Sequence, residues 1–271
     1  MKRITILIAA MIFAAAAASA APRNYELKSP DGKLIVTVEA GEDLNYSLSH
    51  ESDKLLDKSP LGMCLEDGTV FGGAQSVKKV SRRSVNETIS AVVYKKAEVK
   101  DVFNEMTLKF QKFSVIFRAY DDGMAYRFVS HIKTPYNVES ETVRFNFAQD
   151  WNMWAAYVTH NTWSLEGQYF TSNEAQYTYT PLSEWNKDRI AMLPLMVDGP
   201  SGKKIVVTEA DNRDYPCFYL YNYEGGKELT ARIPAFPKDL KQGGPMKSWK
   251  GACHRTHSFR YRSIRQNCCS D

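Results

Sequence analysis

Apolar side chains fall on every second residue in one segment after another of this chain. That period commits it to β-strands, because successive side chains on a strand point to opposite faces. Leu34, Val36 and Val38 alternate with Ile35, Thr37 and Glu39 directly after the turn-forming run Ser29-Pro30-Asp31-Gly32. Leu44, Tyr46 and Leu48 follow a second turn signal at Gly41-Glu42-Asp43. Met106, Leu108 and Phe110 carry the pattern on, and Phe113, Val115, Phe117 and Ala119 resume it. Asp121-Asp122-Gly123 then reads as a tight hairpin turn, with Ala125 to Val129 as the returning strand. Val143, Phe145 and Phe147, the run Lys204 to Thr208, and the aromatic-rich run Cys217 to Tyr223 are further strand candidates. No long segment shows a sustained 3.6-residue apolar stripe. The fold class expected is therefore all-β, a large antiparallel β-sandwich in one domain, with a closed barrel as the competing arrangement. An aromatic share of 12% fits a half-buried pleated surface.

Three stretches break the pattern. Residues 1–20 have a positive start (Lys2, Arg3), an apolar run from Ile4 to Ala18 and a small-residue end, Ala18-Ser19-Ala20. These are the parts of a secretory signal, and the run is too short and alanine-rich for a membrane span. The expectation is an exported, periplasmic protein with no membrane association after cleavage, and a sandwich domain over residues 22–245. The stretch from Trp151 to Trp185 is rich in Trp, Tyr, Asn, Thr and Ser and reads as long loops, a common seat of function. From Met246 to Asp271 the alternation stops and basic residues dominate, as in a disordered or frameshifted tail.

The formal net charge of +4 is misleading until it is located. The leader contributes +2 and the 246–271 tail +5, leaving the body at −3. A mildly acidic body gives no support to a nucleic-acid partner.

Few residues point to chemistry by spacing alone. There is no nucleophile elbow, phosphate loop or HExxH helix. His50, His131 and His160 are isolated, and the five cysteines form no evident disulfide framework. Cys253, His254, His257, Cys268 and Cys269 are zinc-ligand types, but a Cys-x-x-Cys pair is absent and adjacent cysteines suit one tetrahedral ion poorly. Glu209, Asp211 and Asp214 follow a strand end, where carboxylates could meet a hard cation such as calcium or simply be solvated. Trp151, Trp154, Trp163, Tyr169 and Trp185 could offer flat rings to a pyranose, or could pack the sandwich edge.

Several longer strings carry a resemblance. Ser29 to Lys33, the dodecapeptide Phe117-Arg118-Ala119-Tyr120-Asp121-Asp122-Gly123-Met124-Ala125-Tyr126-Arg127-Phe128, Thr180 to Ser183, Thr208 to Asp211 and Asp214-Tyr215-Pro216 resemble glycoside hydrolase family 97 in order and spacing. The resemblance covers residues 24–246. It implies an exported, calcium-dependent α-glycosidase whose amino-terminal part is a super-sandwich of galactose-mutarotase type. It also implies a catalytic (β/α)₈ barrel that supplies the acid, the base and most calcium ligands.

Glu209 looks to match the one glutamate that the sandwich lends to calcium, and Asn161 or Asn173 a second contributor. Trp151, Trp154, Trp163 and Asn173 are then the carbohydrate-contact candidates, and no catalytic residue is expected within the chain. Since the match stops near Met246, the barrel is expected to be missing, as in a truncated remnant that does not hydrolyse its α-linked oligosaccharide. A free-standing carbohydrate-binding module and a partner domain for a separately encoded barrel are the competing readings.

Overall fold

The computed structural model describes residues 22–92, 95–158, 164–170, 174–210, 215–234, 253–255 and 263–269. Strand accounts for 61% and helix for 5%, and the large antiparallel sheets, of 12 and 4 strands, are not closed. That settles the choice between an open sandwich and a closed barrel in favour of the sandwich.

The four-stranded sheet is a meander: β1 (Arg23–Lys28), β2 (Leu34–Ala40), β3 (Leu44–His50) and β4 (Asp53–Leu65), each antiparallel to the next. Its inward residues are those the alternation marks, with Leu34, Val36, Val38, Tyr46 and Leu48 all buried. After the two-residue β5 (Val70–Phe71), a second meander runs through β6 (Lys79–Ser90), β7 (Glu98–Lys109), β8 (Phe113–Tyr120) and β9 (Gly123–Ser130). The turn between β8 and β9 is the two residues Asp121 and Asp122, as the sequence indicates.

The two layers meet through aromatic side chains. Tyr46 lies 5.6 Å from Tyr126 and 6.4 Å from Phe117, ring centre to ring centre. Phe71 stacks on Phe113 at 4.7 Å, and Phe113 on Phe110 at 4.4 Å. Offset contacts of this kind add to the area each ring removes from water.

The larger sheet continues with β10 (Tyr136–Asn146), β11 (Asn152–Tyr157), β12 (Tyr177–Pro181), β13 (Ala191–Asp198), β14 (Lys204–Ala210), β15 (Tyr219–Tyr221) and β16 (Glu228–Arg232). β13 pairs with β11, β14 and β15, β15 with β16, and β16 with β10. β12 pairs with β11 at the sheet edge. Within the basic segment the chain adds β17 (Cys253–Arg255), paired with β10, and β18 (Ser263–Cys269), which lies between β9 and β14.

Hydrogen bonding passes from sheet to sheet through shared strands. The first half of β4 pairs with β3, while Leu61 to Leu65 pairs with β10. Gly72 permits this corner: its φ is +105°, and a Cβ there would stand 2.7 Å from the Leu61 carbonyl oxygen. Its own carbonyl accepts the Leu44 N–H at 2.7 Å.

Two expectations need correction. The stretch 151–185 is not all loop, since it contains β11, β12 and two short 3₁₀ turns at Gly167–Phe170 and Leu182–Glu184. β11 carries the small Ala155 and Ala156 on opposite faces, and Tyr177 to Tyr179 of β12 are exposed on both faces, so neither shows an in-and-out pattern. The Cys217 to Tyr223 run forms strand only over Tyr219–Tyr221.

Candidate functional site

Alternation along β14 points Ile205, Val207 and Glu209 to one side. Ile205 and Val207 are fully buried, and Glu209 is half-buried where that row reaches the sheet rim. Its carboxylate Oε2 accepts the Phe218 N–H at 2.9 Å. Phe218 is itself buried, 6.4 Å from Phe145 of β10, and Tyr215 donates its hydroxyl to Glu141 Oε2 at 2.6 Å. Residues 215–218 thus fold back over the rim and are fastened at both ends, which fixes the direction of the Glu209 carboxylate. The neighbours Asp211 and Asp214 lie outside the described residues.

Beside this clasp is a cavity of about 250 Å³, lined among others by Glu139, Glu141, Tyr169, Tyr215, Tyr223 and Arg232. Arg232 organises one wall. It donates from Nη1 to Tyr223 Oη (2.6 Å), from Nη2 to Glu166 Oε1 (2.6 Å) and from Nε to Tyr169 Oη (3.3 Å). Burial works against its charge, but Tyr169, Tyr223 and Glu166 outweigh it and hold the guanidinium firmly protonated. Burial pushes the Tyr169 phenol up, so it remains a neutral hydroxyl that accepts from Arg232.

Calcium takes six to eight oxygen ligands. Among the described residues no group of three or more His, Cys, Asp and Glu side chains is gathered. The described residues, Glu209 among them, thus do not form a self-sufficient calcium site.

The other candidates separate. Trp154 is exposed on β11, directly opposite Tyr179 of β12, with ring centres 4.6 Å apart. Trp151 is half-buried against the core, and its carbonyl accepts the Leu182 N–H at 3.0 Å. Trp185 is buried, its indole N–H bonded to the Arg189 carbonyl at 3.0 Å. Trp163, Asn161 and Asn173 lie outside the described residues, as do the Cys and His side chains of the tail. Sequence reasoning passed over Arg232, Glu166 and Glu141, whose partners are distant in the chain, and over Tyr177 and Tyr179. The Tyr-Thr-Tyr-Thr run at 177–180 was the available signal for the last two.

Thr208 to Ala210 and Tyr215 to Pro216, within two of the family-like strings, thus frame the rim, and the strings nearer the amino terminus serve the fold. Arg118, within the dodecapeptide, bonds Glu105 at 2.8 Å, and Asp121 accepts the Asp31 N–H at 2.9 Å, joining that turn to the Ser29–Lys33 turn. A retaining alpha-galactosidase from Bacteroides thetaiotaomicron is 37% identical over 246 residues, which are 90% of this chain and 37% of that protein. A glycoside hydrolase family 97 enzyme from Pseudoalteromonas sp. strain K8, solved with acarbose, superimposes with a TM-score of 0.72 at 19% identity, over 90% of this chain and 35% of that one. A beta-arabinopyranosidase structure gives 0.75 at 20% identity, over 91% and 40%. The chain therefore spans well under half the length of these relatives. The family model for the glycosyl-hydrolase 97 N-terminal domain matches residues 27–256, eleven residues into the basic segment, and the chain belongs to that family.

Proposed function

We propose that this chain is the non-catalytic amino-terminal sandwich of an exported, calcium-dependent α-glycosidase, and that it does not hydrolyse glycosides by itself. The observation that carries the reading is Glu209: a carboxylate at the sheet rim, aimed by the Phe218 N–H and by the Tyr215–Glu141 clasp. A carboxylate such as Glu209 serves a calcium ion only when further oxygens join it. A catalytic barrel packed on this rim would bring them, together with the acid and base that glycoside cleavage requires. The acarbose complex of the Pseudoalteromonas relative supports an oligosaccharide as the substrate class. The leader at residues 1–20 supports export to the periplasm.

The test mixes the chain with a separately produced catalytic barrel of a family 97 α-galactosidase and titrates calcium by calorimetry, with a hydrolysis assay on the same samples. The expected result is no turnover by the chain alone, and calcium affinity in the mixture about tenfold weaker with Glu209→Gln, since a charged ligand is worth more than 1 kcal/mol. Turnover by the chain alone, or equal calcium affinity for the two forms, would overturn the proposal.

A further inference from the structure

The outer face of β11 and β12 carries a second feature, separate from the rim. Trp154 is 38% exposed, Tyr177 49% and Tyr179 47%, an unusual concentration of bare aromatic surface for two paired strands. Register places all three on one face: Trp154 pairs with Tyr179, Ala156 pairs with Tyr177, and paired residues point the same way. The two tyrosine rings are held in place by hydrogen bonds, and the Trp154 ring lies against Tyr179. Tyr179 donates its hydroxyl to Asp198 Oδ2 at 2.8 Å and accepts from Asn152 Nδ2 at 3.1 Å. Tyr177 donates to the Pro194 carbonyl at 3.4 Å. Lys204 Nζ bonds the other oxygen of Asp198 at 2.8 Å, and that pairing holds the Asp198 carboxyl below its usual range.

We propose that Trp154, Tyr177 and Tyr179 form a binding platform for a neutral oligosaccharide. A pyranose has one flat C–H face that is matched by an aromatic ring, and a rim of hydroxyls that is matched by Asn152, Asp198 and Lys204 around the rings. The charge pattern favours an uncharged polyol over an ionic ligand, because Asp198 and Lys204 neutralise each other. Tethered rings have little side-chain freedom left to lose on binding, which favours association. The platform sits on the outer face of this strand pair, so a sugar chain can lie along it without entering a cavity. The choice of α-linked sugars as probes rests on the function proposed above. The site itself needs neither calcium nor Glu209.

The experiment titrates the full chain with maltoheptaose and with raffinose, following tryptophan fluorescence, and repeats the titrations with Trp154→Ala, Trp154→Phe and Tyr179→Phe. Circular dichroism melts establish that each variant is folded. The expected result is saturable binding that Trp154→Ala weakens about tenfold or more. Trp154→Phe, which keeps a flat ring, restores most of it, and Tyr179→Phe, which removes both hydroxyl bonds to Asp198 and Asn152, costs about fivefold. Calcium and Glu209→Gln leave binding unchanged, so failure of the calcium reading and failure of this one are told apart. The platform is refuted if the wild-type chain binds neither sugar, or if Trp154→Ala binds as well as wild type. It is equally refuted if the chain self-associates through this face and Trp154→Ala abolishes the association.

Discussion

Glu105 on β7 shows how a charge can sit on the outer surface of the sandwich and still be almost buried. Only 6% of it is exposed, yet both carboxylate oxygens are occupied, by Arg83 Nε and Nη2 (2.6 and 3.0 Å) and by Arg118 Nε (2.8 Å). Arg118 also lies 4.2 Å from the centre of the Phe103 ring. Burial opposes ionisation of Glu105, but the two guanidinium groups outweigh it and lower its pKa below the ordinary 4.5. A carboxyl lowered in this way contributes stability that is present above its unfolded value and lost as pH falls through the folded one. Glu105→Gln is therefore expected to cost about 2 kcal/mol at neutral pH. Urea unfolding should show the gap between variant and wild type closing below about pH 4. At this scale the sequence was only partly legible. The Asp121-Asp122 turn could be read from its neighbours, but the bond from Asp121 to the Asp31 N–H spans 90 residues and no local signal announces it.

At the scale of elements, legibility follows burial. β8 and β9 could be placed from sequence because each buries one face and solvates the other, so the period is written into the residues. β6 is exposed along nearly its whole length and reads as polar chain, although it pairs with β7 from end to end. β12 hides for the same reason. Its Tyr-Thr-Tyr-Thr composition favours a strand, but at the sheet edge neither face is buried deeply enough to write an apolar period. The corner between β5 and β4 makes a sharper prediction. Gly72→Ala would combine a left-handed backbone with a Cβ 2.7 Å from the Leu61 oxygen. A loss of about 2 kcal/mol or more is expected by thermal or urea unfolding. Gly32→Ala, with a similar φ but nothing within 4 Å, should cost about 1 kcal/mol, from the backbone alone.

For the whole molecule, the family strings made the sandwich legible, and they touched the rim only at Glu209 and its near neighbours in sequence and at Tyr215. Glu141, which completes the clasp, and the Arg232 wall lie in no shared motif, because tertiary pairing and not spacing brings them to the rim. Since β4 and β10 each belong to more than one sheet, the layers cannot come apart without breaking a strand. Unfolding is therefore expected to be a single step, with tryptophan fluorescence and far-ultraviolet circular dichroism tracing the same urea transition. Two separated transitions would show that the meanders are independent.

The division of β4 also bears on the order in which the chain can take shape as it emerges. The first meander can zip up from neighbouring hairpins as soon as Asp53 to Pro60 is available. Leu61 to Leu65 must then wait, apart from a short pairing with β5, until β10 has been made and delivered. During that interval an apolar half-strand holds open hydrogen-bonding edges, the template on which misassembly starts. A domain built this way gains from being kept extended and escorted until its tenth strand arrives, and its yield should depend more on that delay than on its final stability.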